Sequence, residues 1–151
     1  LQGDQLGKAI PVLSALSPVD VQFDDKQPTG FLADENLILY PSGASDEEVL
    51  ARLPADIVLA TAAQCYAEVG NEEYLHQMAL AVSVEVCGRL GISPPADAAD
   101  RLNGLRAHIP AGEERRALEE VREMAKVFGD TVCKELDLQR PRSDLQRAEE
   151  R

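Results

Sequence analysis

Few side chains in the 151-residue sequence are equipped for nucleophilic or metal chemistry. There are two histidines, His76 and His108, and three cysteines, Cys65, Cys87 and Cys133. Glu72 and Glu73 precede His76 by helical spacings and can bring a carboxylate beside its imidazole. A catalytic zinc asks for three protein ligands, and His108 falls in a different predicted element. His76 therefore reads as a half-exposed histidine beside a solvated charge run. His108, just before Ile109-Pro110, reads as a helix-end residue whose positive form suits the helix dipole. A reactive thiolate needs an electropositive, partly exposed setting. Cys65 and Cys87 instead sit among Ala62, Ala63 and Tyr66, and Val84, Val86 and Leu90. An odd number of widely separated cysteines in such surroundings points to reduced core thiols of a cytoplasmic protein. Ser42, between Pro41 and Gly43, reads as a turn residue. Phosphate-loop, dinucleotide-loop, nucleophile-elbow, CxxC and HExxH patterns do not occur. An acid–base site could be assembled only from carboxylates such as Asp56, Glu72 and Glu73, and nothing in the sequence shows the burial that would split their pKa values. No catalytic residue, metal ligand or cofactor is expected on this basis.

The elements that would position these residues divide the chain in two. Strand signals are confined to the first 40 residues. Leu6 to Leu16 has a helical apolar period, with Pro11 marking a start or a kink. Val19, Val21 and Phe23 alternate with polar residues and should share one strand face. Gly30-Phe31-Leu32 and Leu37-Ile38-Leu39-Tyr40 follow across turn-rich connections. The spacing predicts a small antiparallel meander of three strands.

From Ser45 onward the pattern is helical. Ser45-Asp46-Glu47-Glu48 fits a capping box. Val49, Leu50, Leu53, Ile57, Val58 and Ala60 then form a wide apolar face, with Pro54 placed awkwardly inside it. A second helix is predicted from Glu72 to Leu90, with Leu75, Ala79, Val82, Val86 and Leu90 inward and Gly91 as its stop. A shorter one follows over Ala96 to Leu105. The last, from Glu113 to Leu136, carries Leu118, Val121, Met124, Ala125, Phe128, Val132 and Leu136 on one face. The expected architecture is α+β, with the meander near the N-terminus packed on a bundle of four to five helices. One domain is expected over 1–137, followed by a polar, mobile tail over 138–151.

Composition limits the partners. Fifteen Lys+Arg against 27 Asp+Glu leave a formal net charge of −12, and there is no Trp, with three Phe and three Tyr. That balance opposes phosphate-backbone binding, and so few aromatics make a poor stacking platform for single strands. Direct nucleic-acid binding is not expected. No apolar run reaches the length of a membrane span, and Leu1-Gln2-Gly3-Asp4 has no secretory character. The missing initiator Met is what a piece of a longer protein would show.

The order of elements resembles the zincin-like metallopeptidase domain of the ImmA/IrrE type, in the form found in ArdC- and LtrC-like antirestriction proteins of mobile elements. Ser17-Pro18-Val19-Asp20-Val21-Gln22-Phe23 resembles that family's first strand, and Gly30-Phe31-Leu32 its glycine-aromatic turn. Leu37-Ile38-Leu39 resembles the strand before the metal-binding helix. Val86-Cys87-Gly88-Arg89-Leu90-Gly91-Ile92 resembles the second long helix, and Gly104 with Leu118 to Leu136 the closing segment. The likeness spans nearly the whole chain and rests on order and spacing rather than on one motif. In the register set by Leu53 and Ile57, it implies that Ala55 and Leu59 stand where the family carries the two histidines of HExxH. It also implies that Asp56 stands at the general base, and Leu80, seven positions before Cys87, at the third ligand. The resemblance thus implies a fold kept and a metal site lost.

Two functional expectations follow. The first is a catalytically inactive, pseudo-peptidase domain acting as a binding or scaffolding module in a mobile-element, antirestriction or regulatory protein, with a protein partner. The alternative is an acidic interaction domain or DNA mimic occupying a basic surface on a nuclease. A mimic needs carboxylates in phosphate-like rows, whereas Asp46, Glu47 and Glu48, Glu72 and Glu73, and Glu119, Glu120 and Glu123 cluster at helix starts and along helix faces. A homodimer formed through an exposed part of the Leu118–Leu136 stripe is compatible with either expectation.

Overall fold

The structure is a computed structural model that describes residues 4–25, 29–65, 72–96, 98, 100, 112 and 114–139. Its elements are α1 (Asp4–Ser14), β1 (Asp20–Phe23), β2 (Gly30–Leu32), β3 (Leu37–Tyr40), α2 (Asp46–Cys65), α3 (Glu72–Leu90) and α4 (Glu114–Gln139). This is the expected α+β class. Four helices pack in a ring in which α2 contacts α1 and α3, and α4 contacts the same two, while the sheet lies on α2. None of the described helices is long and apolar enough to cross a membrane.

The sheet departs from the predicted meander. Its order is β1-β3-β2, with β1 parallel to β3 and only β2 antiparallel to it. The reason lies in composition. Leu37-Ile38-Leu39-Tyr40 is apolar at every position, and Ile38, Leu39 and Tyr40 are buried. Such a run belongs in the middle of a sheet, where both faces and both edges are covered. β1 therefore takes the edge of β3 that the β2–β3 hairpin leaves free. The Asp24 N–H donates to the Tyr40 carbonyl at 2.9 Å and extends that pairing. The hairpin turn closes with Asn36 at φ 55°, a left-handed conformation that asparagine tolerates. Gln64 Nε2 donates to Asn36 Oδ1 at 2.8 Å and ties the turn to α2.

The shared face predicted for Val19, Val21 and Phe23 holds only at its start. Val19 is buried, Val21 is half-buried, and Phe23, at the end of edge strand β1, is 47% exposed. The Phe23 ring still rests near Tyr40, with centroids 6.0 Å apart.

Two helix boundaries have a clear local cause. Ser45 caps α2: its hydroxyl accepts the Glu48 N–H at 3.2 Å and its carbonyl the Val49 N–H at 3.0 Å. α3 ends at Gly91, φ 72°, with the Ile92 N–H reaching back to the Cys87 carbonyl at 3.0 Å. That is a Schellman closure, and only glycine adopts its left-handed residue without strain. α1 continues through Pro11 and buries Ala9 and Leu13.

α4 is the amphipathic helix expected, with one correction. Leu118 is 47% exposed, and Ala117 takes the inward position in its place. Ala117, Val121, Ala125, Phe128, Val132 and Leu136 are all buried. Their spacing of three and four keeps one phase on the helix, and Leu118 lies a full residue step outside it. The predicted helix over 96–105 falls largely outside the described residues. The predicted tail over 138–151 begins within α4, and its remainder lies outside them.

Candidate functional site

Asp56 is the carboxylate that stands out in α2. It is buried within the run Ala55-Asp56-Ile57-Val58-Leu59-Ala60, where a charge without donors would be costly. Two donors meet it. The Tyr40 hydroxyl donates to Oδ2 at 2.5 Å, and the Phe31 N–H donates to Oδ1 at 3.1 Å. One carboxylate thus fastens both β2 and β3 to α2. Gly30, at φ +92°, lets β2 come this close: a Cβ there would lie 3.3 Å from Asp56 Oδ1. Burial pushes the Asp56 carboxyl up from its ordinary range, against the opposing pull of the Tyr40 hydroxyl, the Phe31 N–H, and the charges of Arg52 and His76. Tyr40 is pushed well above the usual phenol value, first by its own burial and then by the neighbouring Asp56 charge, so it stays a donor.

The turn before Asp56 is opened by Pro54, which is fully buried inside α2. Proline disrupts the helical bonding of the turn it sits in. In that turn, the N–H of Ala55 and the carbonyl of Ala51 both have side-chain partners on α3. The Ala55 N–H donates to Ser83 Oγ at 2.7 Å, and Cys87 Sγ–H points at the Ala51 carbonyl at 3.9 Å. Ser83 and Cys87 are four residues apart, on one face of α3. The residue that looked awkward in the sequence is accommodated by two small polar groups of the neighbouring helix. Burial holds the Cys87 thiol at a pKa of about 11, so it is protonated and serves as a structural donor.

Between α2, α3 and the β2 edge lies a cavity of about 210 Å³. Ala55, Asp56, Leu59 and Leu80 all line it, so the four positions singled out from the sequence converge on one space. Arg52 and His76, both exposed, border the same cavity. A larger cleft of about 820 Å³ shares Tyr40, Arg52 and Pro95 with it and extends toward Ser45 and Pro94.

No family model, curated protein or solved structure matches the chain.

The cavity's residues do not fit a metal ion. Ala55, Leu59 and Leu80 have no donor atoms, which leaves Asp56 and His76 as the cavity's ligand-type side chains among the described residues, one short of the three protein ligands a catalytic zinc asks for. Among the described residues, no three of His, Cys, Asp and Glu are grouped to hold an ion. The side chains of Glu72, Glu73 and Cys65, and all of His108, lie outside the described residues, so neither the His76–glutamate pairing nor the Asp56–Glu72–Glu73 grouping is described. Cys133 is half-buried on α4. Ser42 sits in the turn after β3, its N–H donated to Asp25 Oδ1 at 3.2 Å.

The acidic cluster at the start of α2 serves the fold. Glu47 Oε1 accepts the Ser93 N–H at 3.2 Å, which fastens the chain beyond α3 to the N-terminus of α2. Sequence reasoning missed Tyr40, Ser83 and Arg52 as members of this region. A signal existed for one partner: a lone aspartate on an apolar helix face implies a buried donor.

Proposed function

We propose that this chain is a catalytically inactive zincin-like domain of the ImmA/IrrE type, serving as a binding or scaffolding module in a mobile-element, antirestriction or regulatory protein. The observation that carries the reading is convergence. Positions 55, 56, 59 and 80, aligned by the resemblance with two histidines, a general base and a third ligand, line a single cavity between two packed helices and a strand edge. Ala55, Leu59 and Leu80 supply no metal ligands. Asp56, at the base position, is instead held by Tyr40 and Phe31 and joins sheet to helix.

Elemental analysis of protein purified without chelator or affinity-tag metal tests the first half of the proposal, and less than a tenth of a zinc per chain is expected. The triple variant Ala55→His, Leu59→His, Leu80→Glu tests the register. It should bind one zinc per chain while keeping the parent's far-ultraviolet circular dichroism. Stoichiometric zinc on the natural chain, or a folded triple variant that takes none, overturns the reading.

A further inference from the structure

Arg52 and Asp56 are four residues apart on α2 and both line the 210 Å³ cavity. Opposite charges at that spacing ordinarily close into an ion pair along the helix surface. These do not: the ion pairs among the described residues include Arg89–Asp130 and Arg116–Glu120, and none joins Arg52 to Asp56. The cause is visible in the packing. Tyr40 and Phe31 draw the carboxylate inward beneath β2, whereas Arg52 stays exposed at the opening. The cavity therefore has a carboxylate in its wall, a guanidinium at its mouth, and an apolar wall made by Ala55, Leu59, Ala79 and Leu80.

We propose that this cavity binds a small zwitterion, an α-amino acid with an aliphatic side chain. The α-carboxylate pairs with the Arg52 guanidinium, whose planar fork suits a carboxylate. The α-ammonium donates to Asp56, where each oxygen accepts a single bond from the described residues and keeps a second lone pair. The aliphatic body lies on Leu59, Ala79 and Leu80. Size agrees, since a cavity of about 150 Å³ already admits a benzene-sized molecule and this one is about 210 Å³. Charge agrees as well. A simple anion would meet Asp56 and a simple cation would meet Arg52, so a ligand carrying both charges is the one favoured at each end.

The proposal rests on reading the cavity as a binding site and gives that site a ligand class, and its test is independent of the metal assay. Calorimetric titration of the full chain with L-leucine should give a dissociation constant between roughly 10 µM and 1 mM, well inside the ceiling for a ligand of so few atoms. Removing one charge at a time, with 3-methylbutylamine and with 4-methylpentanoate, should weaken binding at least ~10-fold in each case. Arg52→Gln, at an exposed site, should leave thermal unfolding unchanged and abolish the preference for leucine over the amine. Ala55→Phe, which fills the cavity from α2, should abolish binding of all three. No binding of leucine overturns the proposal, as does equal binding of leucine and its two analogues, or binding that survives Ala55→Phe. Zinc on the natural chain together with leucine binding would sink the family reading and leave this one standing. An absence of both zinc and leucine binding would do the reverse.

Discussion

The hydroxyl of Tyr40 is one of the two donors by which Asp56 ties the sheet to α2, and Tyr40→Phe removes it with almost no change of volume. Tyr40 is buried, and its hydroxyl donates to Asp56 Oδ2 at 2.5 Å. A hydrogen bond to a charged group contributes about 1.5–3 kcal/mol, and phenylalanine leaves no cavity to add to it. The Phe31 N–H still meets the carboxylate, so the cost should stay near 2 kcal/mol at neutral pH rather than the larger cost of an unpartnered buried charge. In a domain of this length that corresponds to a fall in Tm of roughly 4–8 °C. The pH dependence is the sharper test. Burial raises the Asp56 pKa on folding. Between the unfolded value of about 3.9 and the raised native value, the native state holds more protons. Stability from this group is therefore highest at acid pH, falls as pH rises through that window, and levels off above it. The Tyr40 hydroxyl opposes the rise, so Tyr40→Phe lifts the native pKa further and extends the falling window upward. The variant should lose about 1 kcal/mol near pH 4, where a neutral hydrogen bond is lost, and about 2 kcal/mol or more near pH 8. Urea unfolding followed by circular dichroism across this range measures both figures. A loss under ~0.5 kcal/mol at neutral pH, or one equal at both ends, would refute the reasoning.

Two further substitutions probe the same region. Gly30→Ala should cost about 1–3 kcal/mol in urea unfolding, because φ is +92° and the new Cβ would press on Asp56 Oδ1 from 3.3 Å; a neutral effect would mean that β2 does not hold this conformation. Ser83→Ala strips the Ala55 N–H of its partner behind Pro54, and a loss of about 1–3 kcal/mol is expected by the same assay, with Ser83→Thr falling between variant and parent.

Much of the chain is legible without coordinates. Helical periodicity marks α2, α3 and α4, and the Ser45 cap and the Gly91 stop set their ends, because capping chemistry is local and leaves its mark in residue type. Periodicity fails where two residues compete for one inward position. Leu118 is the more apolar candidate, yet Ala117 takes the slot because it shares the phase of Val121, Ala125 and Phe128. Strand order fails differently: short strands joined by turns look sequentially paired, whereas β3 takes the centre because its apolar run needs cover on both sides. Pro54 looks like a break in the sequence and is tolerated because Ser83 and Cys87 stand opposite the opened turn.

Element types and most of the core are readable along the chain. These follow from side-chain type and spacing along one chain segment. That Ala55, Asp56, Leu59 and Leu80 face one cavity, that Tyr40 and Phe31 hold Asp56, and that Arg52 forms no ion pair with the carboxylate four residues away is settled in three dimensions. Each of those depends on how a second element approaches α2, and the approach is set by packing across residues distant in sequence, which no local pattern encodes.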